Sequence, residues 1–266
     1  MLLNLARQLA RAQMGHLGRM QASTKVSLGG DLHGYKTIWN EGYHSDTPND
    51  PAVVVLQEWW GVNDEIKHQA QIIADQGYVA VIPDIYRGKV ALDVAEAQHL
   101  MDGLDWERAV KDIHDTVDHL RVENPSRKIG IVGFCMGGAL SFLAASSKAS
   151  PNSKLNCAIS FYGLPSDSVV EDLVRHGVPI QGHFGILDAH SGFSDPKTVR
   201  SFEKKLKLAG SLHEPFHFYD TQGHGFMNVT PWYQKVRVEL GRPPTDQAAI
   251  ASAWGSVFKF FKQHLH

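Results

Sequence analysis

At 266 residues the chain is long enough to bury one sizeable hydrophobic core, and a single domain accounts for that length. Its 43% hydrophobic and 20% charged residues describe a globular protein, and a formal charge of -2 provides no electrostatic footprint for nucleic acid or an anionic membrane. Two cysteines are too few for a disulfide framework, which leaves a reducing compartment or a functional thiol.

Residues 1–25 stand apart as an N-terminal extension. They carry Arg7, Arg11 and Arg19, no acidic residue, and Leu2, Leu5, Ala6, Leu9 and Ala10 at helical spacing. The expected compartment is cytoplasmic, with the stretch as a surface helix; its composition also fits a transit peptide, which would make the mitochondrial matrix the alternative. Residues 26–266 form the expected domain, opening with a β segment over 26–41 that turns at Gly29-Gly30-Asp31.

Ala52-Val53-Val54-Val55-Leu56 is a continuous apolar run, the pattern of a strand buried on both faces of a parallel sheet. It ends at Gln57-Glu58-Trp59-Trp60-Gly61. Asn63 caps a helix with Asp64 and Glu65 in its first turn and Ile66, Ala70, Ile73 and Ala74 on one face, stopping at Gly77. A strand over 78–82 follows. Residues 84–105 make a connection with a short helix over 94–104, placed to cover a pocket, and 106–122 form an amphipathic helix. Further strands are expected over 128–132, 155–161, 178–187 and 214–219, and helices from 139 and over 167–176, 196–209 and 248–265. This alternation calls for βαβ crossovers, hence an α/β fold with a mostly parallel sheet and helices on both faces. The uncharged run between Lys128 and Lys148 is long enough to span a bilayer, but Gly130, Gly133, Gly137 and Gly138 mark a turn whose backbone would go unpaired in lipid, so no membrane segment is expected.

Chemistry concentrates at Gly133-Phe134-Cys135-Met136-Gly137-Gly138, between a strand and a helix. Glycines two positions either side of Cys135 match the nucleophile elbow G-x-S-x-G with cysteine in place of serine. The helix it opens would favour a thiolate there. The competing reading is a small buried cysteine under a glycine turn, as Cys157 is expected to be in its own strand. A thiol of ordinary pKa, about 8.5, is little ionised at neutral pH, so a nucleophile needs a base. After an elbow the order is acid, then histidine. Asp188, closing the strand that ends at Leu187, and His224, between Gly223 and Gly225, fit that order, with Asp195 and Asp220 as rival acids. His190 is expected at the mouth of the pocket, and His183 and His217 as structural strand residues. His213-Glu214-Pro215-Phe216-His217 has the letters of a zinc helix, but Pro215 breaks a helix and an extended strand would separate the histidines by about 13 Å, so no metal site is read there.

Gln57-Glu58-Trp59-Trp60-Gly61-Val62, Gly77-Tyr78, Pro83-Asp84, the run from Gly130 through Gly138, Phe161-Tyr162-Gly163, Asp188 and His224-Gly225-Phe226 together resemble the dienelactone hydrolase family. These are carboxymethylenebutenolidase-like proteins of the α/β-hydrolase superfamily, and the resemblance spans residues 28–264. It implies the α/β-hydrolase fold, no metal or organic cofactor, and a triad of Cys135, His224 and Asp188. It also implies that Glu58 lies against the thiol and holds its proton until substrate binds, and that the backbone N-H groups of Met136 and Trp59 hold the oxyanion. The bacterial enzymes carry an arginine four residues after the triad histidine to grip a substrate carboxylate. Here that position is Asn228, and Arg87 is the arginine available within 84–105 for a second such contact. Trp59, Trp60, Phe134 and Phe226 suggest a pocket for an apolar or aromatic group. The expected activity is hydrolysis of a small ester or lactone through an acyl-cysteine, by a monomer or weak homodimer. A thiol redox protein and a non-catalytic ligand-binding scaffold are the alternatives.

Overall fold

The computed structural model describes residues 23–38, 50–147, 153–211 and 214–266. The transit-peptide reading and His213 of the zinc-like pattern lie outside the described residues. Strands β1 (Thr24–Gly29), β2 (Leu32–Thr37), β3 (Ala52–Leu56), β4 (Val79–Pro83), β5 (Ile129–Phe134), β6 (Cys157–Phe161), β7 (Ile180–Gly185) and β8 (His217–Tyr219) form one sheet in the order β1-β2-β4-β3-β5-β6-β7-β8. The hairpin β1-β2 joins β4 antiparallel, and every pairing from β4 to β8 is parallel. The helices are α1 (Asp64–Ala74), α2 (Val94–Asp102), α3 (Trp106–Glu123), α4 (Met136–Ser146), α5 (Val170–His176), α6 (Pro196–Leu208), α7 (Pro231–Glu239) and α8 (Gln247–Leu265).

The apolar strands are buried twice over because helices cover both faces. Val54, Leu56 and Ile131 pack with Ile113 and Val117 of α3 and Leu140 of α4. Val53, Val55 and Val132 point the other way, onto Ile73 of α1 and Trp254, Val257 and Phe261 of α8. Each such side chain stabilises the fold by roughly 1.5–3 kcal/mol. This is the α/β-hydrolase arrangement. No described helix is long and apolar enough to cross a membrane.

Three differences from the sequence reading have local causes. The expected strand over 214–219 narrows to three residues because Pro215 lacks a ladder N-H and the Phe216 N-H donates instead to Glu203 Oε1 at 2.8 Å. The 167–176 segment opens as a 3-10 turn, Asp167–Val169, before α5. Helix α7 shows weak apolar periodicity, with Tyr233 and Val236 buried but Val238 exposed; its signal is the pair Thr230-Pro231, a cap followed by proline at the first helical position. Cys157 is fully buried in β6, as expected. His183 is structural too: it bonds Tyr219 Oη at 2.8 Å and Gln181 Oε1 at 2.9 Å and stacks on His217 with centroids 4.7 Å apart.

Candidate active site

Parallel pairing brings the carboxyl ends of β3, β5, β7 and β8 to one rim, where open α/β sheets place their ligands. Glu58, Cys135, Asp188 and His224 follow these four ends. Cys135 sits between β5 and α4 with φ +53°, an unfavourable backbone for a side-chain-bearing residue. The surrounding glycines hold it there. A Cβ on Gly133 would collide with the Gly137 carbonyl, and one on Gly163 with the carbonyl of Cys135 itself. The Cys135 N-H is pinned to the Phe161 carbonyl at 3.0 Å. The tight turn therefore exists to lift one sulfur off the sheet end.

His224 Nε2 lies 3.1 Å from Cys135 Sγ, and its Nδ1 lies 2.8 Å from Asp188 Oδ2. An ionised carboxylate only accepts, so the His224 proton resides on Nδ1 and leaves Nε2 free to take the thiol proton. The rival acids are elsewhere: Asp195 caps α6, accepting from the N-H groups of Lys197 and Thr198 at 3.1 Å, and Asp220 is exposed beyond β8.

Burial decides the charges. It pushes the Cys135 thiol well above its usual range, with the Glu58 charge adding to the effect. It pushes His224 down to about 4, against the pull of Asp188 and with Arg242 and His190 adding to the depression. Burial would raise Asp188, but hydrogen bonds from His190 and His224 outweigh it and hold the carboxyl well below the usual range. The resting triad is thus thiol, neutral imidazole and carboxylate. Burial disfavours the thiolate that the helix end favours in the sequence reading, and it outweighs the Met136 N-H at the sulfur. Since His224 stays neutral down to about pH 4, the acid limb of kcat/KM should lie well below the ordinary histidine value of about 6.5. A pH-rate profile with a non-ionising ester checks this; a limb at the ordinary value would mean a solvated imidazole.

Residues 41–265 match the model of the Dienelactone hydrolase family. The carboxymethylenebutenolidase of Pseudomonas putida is 29% identical over 193 residues, 68% of this chain and 76% of the relative. That of Rhodococcus opacus is 28% identical over 232 residues, 83% of this chain and 84% of the relative. A crystal structure of a dienelactone hydrolase-like promiscuous phosphotriesterase from metagenomic libraries superposes with a TM-score of 0.73 at 20% identity, covering 92% of this chain and 98% of its own. The chain belongs to the dienelactone hydrolase family. With its Cys-His-Asp triad assembled, it has the parts of a cysteine hydrolase.

Within the dienelactone hydrolase family, the chain has Asn228 where the resemblance implies an arginine. Asn228 is fully buried and turned onto Glu58: its Nδ2 donates to Glu58 Oε1 at 2.9 Å, as does Tyr162 Oη at 2.9 Å. Gln69 Nε2 donates to Asn228 Oδ1 at 3.0 Å and fixes which way the amide faces. Burial raises the Glu58 pKa, although Asn228, Arg242, Tyr162 and Arg237 oppose it. Arg87, the arginine available within 84–105 for a second carboxylate contact, instead grips Asp112 of α3 at 2.6 and 2.9 Å and also pairs with Asp31. Arg87→Ala should therefore cost about 1–3 kcal/mol in urea unfolding, by leaving Asp112 without its partner, while KM stays unchanged. A raised KM would return Arg87 to the substrate site. The guanidinium whose field does reach Cys135, Glu58 and His224 is that of Arg242, which donates to Tyr233 Oη.

The loop carrying His224 is braced from two helices. Glu65 of α1 accepts the N-H groups of Val229 and Thr230, both at 2.9 Å, and Arg237 of α7 donates to the carbonyls of Gly225 and Asn228. These residues, with Tyr162 and Ser194, escaped the sequence reading as site residues. Glu65 and Gln69 left a signal, being polar positions four apart beside the apolar face of α1. Among the expected pocket residues, Phe134 stacks on Phe161 at 5.0 Å and Phe226 packs 5.5 Å from Tyr162, both fully buried beneath the triad. Trp60 is buried between Trp59 and Trp232, each centroid 5.1 Å away, while Trp59 keeps some exposure. His190 shares Asp188 with His224. Asp188, His190 and His224 present one potential metal-ligand atom each within 4.8 Å, but those atoms are hydrogen-bonded to one another. A cleft of about 860 Å³ runs among Met101, Trp106, Leu164, Phe193 and Phe202; no triad residue lines it, and the Phe193 ring in its lining stands 6.3 Å from that of His224.

Proposed function

We propose that the protein hydrolyses a small ester or lactone through an acyl-cysteine intermediate. The observation that carries this reading is the unbroken line from Cys135 Sγ to His224 Nε2, at 3.1 Å, and from His224 Nδ1 to Asp188 Oδ2, at 2.8 Å. In this mechanism His224 takes the S-H proton and the sulfur attacks the carbonyl carbon. The N-H groups of Met136 and Trp59 hold the oxyanion. Collapse breaks the C-O bond, and His224 returns the proton to the departing alkoxide. Water, deprotonated by His224, then cleaves the thioester and releases the acid and free thiol. No step calls for a metal or organic cofactor.

Carboxymethylenebutenolidase relatives make lactones the first substrates to try. With Asn228 serving Glu58 and Arg87 tied to Asp112, recognition is expected to rest on apolar contact at Trp59 and along the cleft by Phe193 more than on a carboxylate clamp. The redox alternative is disfavoured by the buried, un-ionised thiol, since oxidation follows thiolate character and access. The test is a panel of esters, thioesters, lactones with and without a carboxylate, and a phosphotriester, with mass spectrometry for an adduct on Cys135. Turnover with a trapped acyl group on Cys135 is the expected result. Binding without turnover across the panel would favour the scaffold reading, and sulfenate without acyl adduct after mild peroxide the redox one.

A further inference from the structure

Asp188 serves two imidazoles at once. Its Oδ2 faces His224 Nδ1 at 2.8 Å, while its Oδ1 takes the His190 backbone N-H at 3.0 Å and the His190 Nδ1 at 2.9 Å. The two rings lie 4.1 Å apart, centroid to centroid. The His190 side chain is 47% exposed, whereas the Asp188 carboxylate beneath it is fully buried.

This matters because a carboxylate torsion is soft: rotation about the last bond of an aspartate has broad minima. His224 Nδ1 also has a second acceptor within reach, Ser194 Oγ at 3.2 Å. An Asp188 free to rotate would let the imidazole turn toward that hydroxyl and draw Nε2 off the sulfur. Both bonds to Oδ1 come from one residue, held firmly in place. The His190 carbonyl accepts the N-H groups of Phe193, Ser194 and Asp195 at 3.0–3.2 Å, knotting the loop that leads into α6. The same knot thus carries the clamp on Asp188 and the competing hydroxyl.

We propose that His190 is a positioning residue of the triad: its Nδ1-H and backbone N-H fix one oxygen of Asp188 so that the other stays aimed at His224. The His190 ring also lies against that of His224, but its hydrogen bonds go to Asp188, and it is through these that it would position the triad. The proposal rests on the triad reading but on no particular substrate.

The test compares His190→Ala, His190→Asn and His190→Gln in the full chain. Asparagine presents an amide N-H where the Nδ1-H was; glutamine presents it where Nε2 was. On an ester turned over by the wild type, His190→Ala should lower kcat by about 10-fold or more with KM little changed, and His190→Asn should restore most of the rate where His190→Gln does not. An unchanged kcat in His190→Ala overturns the proposal. So does a raised KM at constant kcat in all three, which would make the ring a substrate contact, or an equal loss in all three accompanied by a fallen Tm, which would make it merely structural. A second readout needs no substrate: the downfield Nδ1 proton of His224, followed by NMR of histidine-labelled protein, should persist in wild type and His190→Asn and broaden in His190→Ala. An equally sharp signal in the alanine variant refutes the clamp. A wild type without turnover or acyl adduct would instead refute the hydrolase reading, and the proton signal would still decide the role of His190.

Discussion

Cys135→Ala should lower kcat on an ester or lactone by about 10⁴-fold or more, with Tm close to wild type. Alanine removes the sulfur but keeps the Cβ, so the turn at φ +53° and its glycine packing carry the same strain as before. What would survive is binding and the proposed oxyanion contacts, which by themselves accelerate a reaction far less than an assembled triad. Cys135→Ser should also be slow, because His224 would have to activate a much less acidic hydroxyl. Steady-state rates and a melting curve on the same preparations decide the matter, and wild-type turnover in the alanine variant would remove Cys135 from the mechanism.

Asp188→Asn should cost a comparable factor, about 10⁴ in kcat, by tautomer control. Asp188 accepts from both His224 Nδ1 and His190 Nδ1. An asparagine turned to offer its NH₂ to either ring meets a nitrogen that already carries a proton. If His224 yields, its proton moves to Nε2, the atom 3.1 Å from Cys135 Sγ, and the base becomes a donor facing a thiol that already has its hydrogen. The measurement is kcat/KM from pH 5 to 9; a loss of only a few-fold would mean that His224 is oriented by Ser194 and its loop more than by Asp188.

The expected triad corresponds to the observed one because chain order and strand ends sufficed to name it. Cys135 stands between glycines that an elbow requires, and Asp188 and His224 each come shortly after an expected strand, in the order acid then histidine. The central strands β3, β4 and β5 were legible for the same reason, burial on both faces leaving an uninterrupted hydrophobic run. Arg87 shows the limit of such reading. Its place in the chain suited a substrate clamp, yet the fold brings Asp112 of α3 and Asp31 of the β1-β2 turn against it, residues 25 and 56 positions away. Asn228 likewise looked like a missing arginine and serves as the amide that holds Glu58.

The amino-acid order alone determined the class of fold, the nucleophile and its two partners, since hydrophobic period, glycine placement and the sequence of chemical groups are local properties of the chain. Tertiary structure alone decided the state in which those groups rest. The thiol keeps its proton and His224 stays neutral because both are sealed from water by elements that lie far apart in the sequence. Desolvation depends on everything packed around a group, and no stretch of residues read by itself contains that information.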